Sequence, residues 1–223
     1  MTYSKHAMTP TQASKVKLAG HKKEKVFDQK FNKGKGKINY SGASADCTID
    51  KDDPILPLLE KKIGLKARTV SLKSSRTIQI HLGNIPELTD KQKYSIVSTN
   101  PTCVDHKISF AKQVEALESV SFWNKYLNKG EYLVYQQKDG SYIFFSMPEV
   151  INFIIAKCIW RKRPTGRLKG DFFHKTKNKN VQILTYEYRS KKKTFVLGAH
   201  GGSKGFEFIE LLKLNLKHHI ERR

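Results

Sequence analysis

The sequence predicts an α/β fold: a mixed central sheet with helices on its faces and a β-rich C-terminal part. Three observations carry this. Val70 and Leu72, then Ile78, Ile80 and Leu82, alternate with polar residues, the period of half-buried strands. Apolar residues at helical spacing mark segments on either side of them. Asp139-Gly140, between Tyr132-Leu133-Val134-Tyr135 and Tyr142-Ile143-Phe144-Phe145, is a strong hairpin cue, and a second strand pair follows at 181–189 and 194–199.

Taken in order, residues 1–11 are polar and without pattern, and are expected to be loose. Residues 11–31 read as a helix with Thr11 at its N-cap. Its stripe is Val16, Ala19, Lys23, Val26, Phe27 and Phe31, with Gly20 a weak point. Glu24 falls near the inward side. The run 32–37 ends the helix as a flexible basic loop; Lys35 and Lys37 either face solvent or touch phosphate. A short strand, 46–49, leads into a turn with Asp50, Asp52 and Asp53, residues suited to turns. A short helix within 54–65, with Ile55, Leu58, Leu59 and Ile63, closes at Gly64.

Lys73-Ser74-Ser75-Arg76 reads as a tight turn, making a hairpin of the two alternating runs. Ser71 and Lys73, two apart on a strand, share a face. Residues 84–105 look irregular, and 105–128 look helical. Ser146 caps a helix with Pro148 in its first turn. That helix runs to about Trp160 and is apolar nearly all round, so it is expected to be buried. The densest basic loop is 161–169. A last amphipathic helix spans 206–218, with the stripe Phe206, Ile209, Leu212 and Leu216. There is no convincing repeat, and the glycine-rich 200–205 lacks the G-K-[ST] of a P-loop.

The chain has 223 residues, with 42 Lys and Arg against 20 Asp and Glu, a formal charge of +22. Such an excess favours a polyanionic partner, of which nucleic acid is the commonest. Cys47, Cys103 and Cys158 form no CxxC pair, which argues against zinc and a disulfide framework and for a reducing compartment. The N-terminus lacks a signal-peptide core, and the most apolar stretch, 150–160, is too short to span a bilayer. A cytoplasmic protein with no membrane association is expected.

Asp46 on one strand, followed by Ser71-Leu72-Lys73 on another, resembles the core of the PD-(D/E)XK nucleases. The setting is most similar to a type II restriction endonuclease. The resemblance implies a restriction-endonuclease-like core, with Mg²⁺ held by Asp46 and by the backbone carbonyl of Leu72. It implies that Lys73 lies beside the attacking water. Ser71 departs from the pattern, standing where a second carboxylate is expected, and a hydroxyl is a poorer ligand for a hard cation. The segment 20–27 resembles the opening helix of many such enzymes, so Glu24 is the candidate to supply the missing carboxylate. Gln79 occupies a position where several of these groups have Gln, and His81 shares its face as a DNA contact or surface residue.

The resemblance further implies one nuclease domain over 12–223. Residues 12–105 would be the catalytic core, and 106–223 would serve DNA recognition and dimerisation. Arg163, Arg167, Lys169, Arg189, His200 and Lys204 are the C-terminal groups able to reach guanine edges or phosphates. A palindromic site in double-stranded DNA implies a homodimer. Two other functions compete: a basic DNA- or RNA-binding protein without catalysis, and a repair or structure-specific nuclease on the same core.

Overall fold

The computed structural model describes residues 10–36, 46–74, 78–83, 130–162, 169–175, 179–189, 194–199 and 203–223. In chain order these form α1 (Pro10–Asn32), β1 (Cys47–Thr48), α2 (Ile55–Ile63), β2 (Thr69–Lys73), β3 (Ile78–Gly83), β4 (Glu131–Gln136) and β5 (Tyr142–Ser146). There follow α3 (Met147–Lys157), β6 (Cys158–Lys162), β7 (Lys169–Lys175), β8 (Asn180–Arg189), β9 (Thr194–Ala199), α4 (Lys204–Asn215) and β10 (His218–Glu221). The helix expected at 105–128 lies outside the described residues.

The strands make two five-stranded sheets, and the fold is mixed α/β. The first has the order β1-β2-β4-β5-β10, with β2 and β4 parallel and the other pairs antiparallel. The second, β3-β9-β8-β7-β6, is antiparallel throughout. Strands β4 and β5 are apolar at successive positions because both their faces are buried. Tyr132, Val134, Tyr142 and Phe144 join a core with Phe27 and Phe31 of α1 and Ile55, Leu59 and Ile63 of α2. Leu133, Tyr135, Ile143 and Phe145 join the other core, with α3, α4 and the second sheet.

Local signals placed several boundaries. Gly64, at φ 78°, closes α2 in the left-handed conformation. Gly140, at φ 84°, serves the β4–β5 turn. Ser146 Oγ accepts the Glu149 N–H at the start of α3.

Five expectations are corrected. Strands β2 and β3 are not a hairpin: β2 lies between β1 and β4, whereas β3 pairs with β9 in the other sheet. Val70 and Leu72 bury in one core and Ile78 and Ile80 in the other, so the chain changes sheet between them. Helix α3 ends at Lys157, and Trp160 belongs to β6, which pairs with β7. Its Asn152, Ile155 and Ala156 are exposed, so α3 buries one side only. Helix α4 ends at Asn215, and His218 opens β10, which pairs with β5. The basic run after α1 is pinned through Gly36, as described below.

Strand β10 leads to a polar latch across α1 and α2. Arg223 donates from both terminal nitrogens to Asp53, at 2.6 and 2.8 Å, and from Nε to Glu221 at 3.0 Å. Its guanidinium lies 4.7 Å from the Phe31 ring centroid, and Lys30 Nζ donates to its carbonyl. Partial burial pushes the Asp53 carboxyl up, but the bonds from Arg223 and the Ile55 N–H outweigh it and hold it below 3.8. This contribution to stability is complete above the ordinary carboxylate value and is lost as pH falls through the lower folded one. Arg223→Ala is expected to destabilise by about 1–3 kcal/mol at neutral pH. Urea unfolding at neutral and acidic pH checks it: the variant should lose less stability in acid than the parent.

Candidate active site

The site lies where β1 begins at the margin of the first sheet. Its register pairs Cys47 with Val70 and Thr48 with Thr69. Asp46, just before β1, donates its N–H to the Val70 carbonyl at 2.8 Å, which holds it beside β2. Val70 and Leu72 bury on one face of β2, so Ser71 and Lys73 project from the other.

Asp46 Oδ2 is the centre of the cluster. It accepts the Leu72 N–H at 2.9 Å, the Lys73 ammonium at 3.0 Å and, more weakly, the Ser71 hydroxyl at 3.5 Å. The ion pair is partly open to solvent, the Lys73 and Asp46 side chains being 15% and 22% accessible. In a strand, the N–H and C=O of one residue face the same neighbour. The Leu72 N–H points at Asp46, so its carbonyl also faces the Asp46 side of β2.

Helix α1 runs alongside this margin. Lys23 Nζ donates to the Ser74 carbonyl at 3.0 Å, next to Lys73. The Glu24 carbonyl accepts the Cys47 thiol at 3.9 Å, next to Asp46. The Glu24 carboxylate is held by His21 Nδ1 at 3.0 Å. Cys47 itself is buried, and burial pushes its thiol far up. The charges of Asp46, Glu24 and Asp28 push it further, and Lys73 opposes them. The surroundings are therefore acidic, and the thiol is a packing group rather than a nucleophile.

Asp46, Ser71, Leu72 and Lys73 thus meet, and Glu24 lies on the adjacent helix with His21 as its partner. Among the described residues, no three His, Cys, Asp or Glu side chains converge as a metal-binding group. Asp50 and Asp53 are occupied in the turn. Asp50 accepts the Asp52 N–H and Asp53 accepts the Ile55 N–H beside its Arg223 pair.

The nucleic-acid candidates divide. Lys35 is exposed on the turn after α1. Gln79 is half-buried on β3, in the sheet that does not carry Lys73, and His81 follows on the same strand. Lys169 opens β7 and Arg189 closes β8; the pairing of Lys169 with Glu187 sets them at one end of the second sheet. Lys204 opens α4 and pairs with Glu207 at 2.8 Å. Lys37, Arg163, Arg167 and His200 lie outside the described residues.

Sequence reasoning missed Lys23 and His21. Lys23 had a signal, since it is a lysine on the apolar stripe of α1. Val26, on the same stripe, is 45% exposed, because the inward line runs through Phe27 and Phe31 instead.

Protein-family models, curated proteins and solved structures were all compared with this chain, and none matches it. Among the described residues no helix is long and apolar enough to cross a membrane.

Proposed function

We propose that this protein is a Mg²⁺-dependent, sequence-specific endonuclease of double-stranded DNA, acting as a cytoplasmic homodimer on a restriction-endonuclease-like core. The observation that carries the reading is the bonding of one carboxylate, Asp46, to both the Leu72 N–H and the Lys73 ammonium, both side chains partly open to solvent. The formal charge of +22 supports a polyanionic substrate.

The donor set suits Mg²⁺, which keeps several waters and takes only one or two carboxylates beside substrate phosphates. Asp46 and the Leu72 carbonyl would hold it, with Glu24 reached through water. Bound there, the ion would polarise the scissile phosphate and lower the pKa of a coordinated water. Lys73 has a different task. Asp46 fixes its ammonium at the site, where it orients the attacking water and stabilises the charge that builds on the phosphate oxygens. Ser71 adds a hydroxyl that helps to hold the Asp46 carboxylate.

The test is incubation of long duplex DNA with the protein and Mg²⁺, beside an EDTA control and Lys73→Ala. Discrete fragments that vanish in both controls are expected. A smear, or cutting of branched DNA alone, would replace this reading by a structure-specific nuclease. Salt-sensitive binding without any cutting would leave a basic nucleic-acid-binding protein.

A further inference from the structure

The turn that follows α1 is built rather than loose. The Gly34 N–H donates to the Asp28 carbonyl and the Lys35 N–H to the Asn32 carbonyl. The Gly36 N–H donates at 3.0 Å to Oδ1 of Asp28, which also takes Asn32 Nδ2 at 3.0 Å. Asp28 is 5% exposed, so this carboxylate is an internal anchor. A Cβ at Gly36 would stand 2.0 Å from Asp28 Oδ1, so glycine is required there. Lys33, at φ 53°, and Gly34, at φ 71°, turn the chain back so that Lys33 and Lys35 emerge exposed from a fixed backbone.

Arg68 reaches the same place from the other side, its Nε donating to the Ile49 carbonyl at 3.0 Å. Asp50 lies among them: its carboxyl is lowered first by the Asp52 N–H and then by Lys33, Lys35 and Arg68. Lys51 is exposed in the same segment. Lys33, Lys35 and Arg68 therefore surround the one carboxylate of Asp50, and Asp53 is already paired with Arg223. Asp46 and Asp50 bracket β1, and the four residue steps between them span at most about 14 Å.

We propose that the 33–36 turn and Arg68 form a second phosphate-binding site, which grips the nucleic-acid backbone at the opposite end of β1 from Asp46. The inference rests on the nucleic-acid reading of Asp46 and Lys73. A cationic turn held by internal hydrogen bonds loses little freedom on binding, which favours such a contact.

The test measures binding of a duplex oligonucleotide in EDTA, where no cleavage interferes, between about 50 and 200 mM salt. Lys33→Gln/Lys35→Gln is expected to flatten the slope of log affinity against log salt by about 1.8, two phosphate contacts. Lys61→Gln/Lys62→Gln removes the same charge from exposed positions on α2 and is expected to leave the slope unchanged. An unchanged slope in the first variant, an equal change in both, or no salt-sensitive binding at all would overturn the proposal. In Mg²⁺ the first variant should raise KM with kcat retained, because the contact is the same in ground and transition states. Binding that follows the expected slopes without cleavage would sink the nuclease reading and leave this site standing.

Discussion

Asp46→Asn is expected to slow Mg²⁺-dependent cleavage by about 10³-fold, and Lys73→Ala by about 10²- to 10³-fold. The two losses have different origins. The amide introduced by Asp46→Asn would keep an oxygen for the Leu72 N–H but lose the charge that attracts a divalent ion and fixes the lysine. Lys73→Ala leaves the carboxylate bonded to the Leu72 N–H at 2.9 Å and removes only the cation. Lys73→Arg is expected to restore little, since a planar fork does not reproduce a point charge. The double variant should be scarcely slower than the slower single one, because groups that act as a unit are not additive. Single-turnover rates check all four, with thermal unfolding to show that each variant is folded. Weakened binding with an unchanged rate in Lys73→Ala would make Lys73 a phosphate clamp instead of a catalytic group.

Phe27→Ala is expected to destabilise the protein by about 3–5 kcal/mol. Phe27 is fully buried. It stacks on Phe31 with centroids 4.4 Å apart and meets Tyr142 edge-on at 5.4 Å. These rings fasten α1 to β5, and α1 carries Lys23 and Glu24 to the site one turn earlier. Its ring neighbours Phe31, Tyr142 and Phe144 are rigid, so a cavity is expected to remain. Val26→Ala, one position away but exposed, should change stability by less than about 0.5 kcal/mol. Urea unfolding of the two variants separates them; equal losses would mean that the ring cluster does not anchor the helix.

Legibility in the sequence follows the range of the interaction. Ser146 with Pro148, Asp139-Gly140 and Gly64 act on their immediate neighbours, and each marks its boundary correctly. The side of β2 that Ser71 and Lys73 share follows from strand periodicity alone. The partner of β3 does not: Ile78 and Ile80 alternate equally well beside β2 or beside β9, and only the packing of the two cores decides. The apolar run 150–160 contains both the end of α3 and the start of β6, because periodicity does not separate a buried helix from a buried strand over so few residues. Lys23 illustrates a different limit. A charge on an inward stripe reads as noise until the Ser74 carbonyl that receives it is placed in space.

The change of sheet between Lys73 and Ile78 has a consequence for how the molecule is made. Strand β3 needs β9, at 194–199, and the first sheet gains β10 only at 218–221. Both pairings join segments separated by long stretches of sequence, which slows folding, to between milliseconds and seconds for topologies of this kind. During synthesis, Asp46 and Lys73 leave the ribosome well before either strand that completes the sheets around them. A half-made chain thus carries Asp46 and Lys73 without the framework that aligns them.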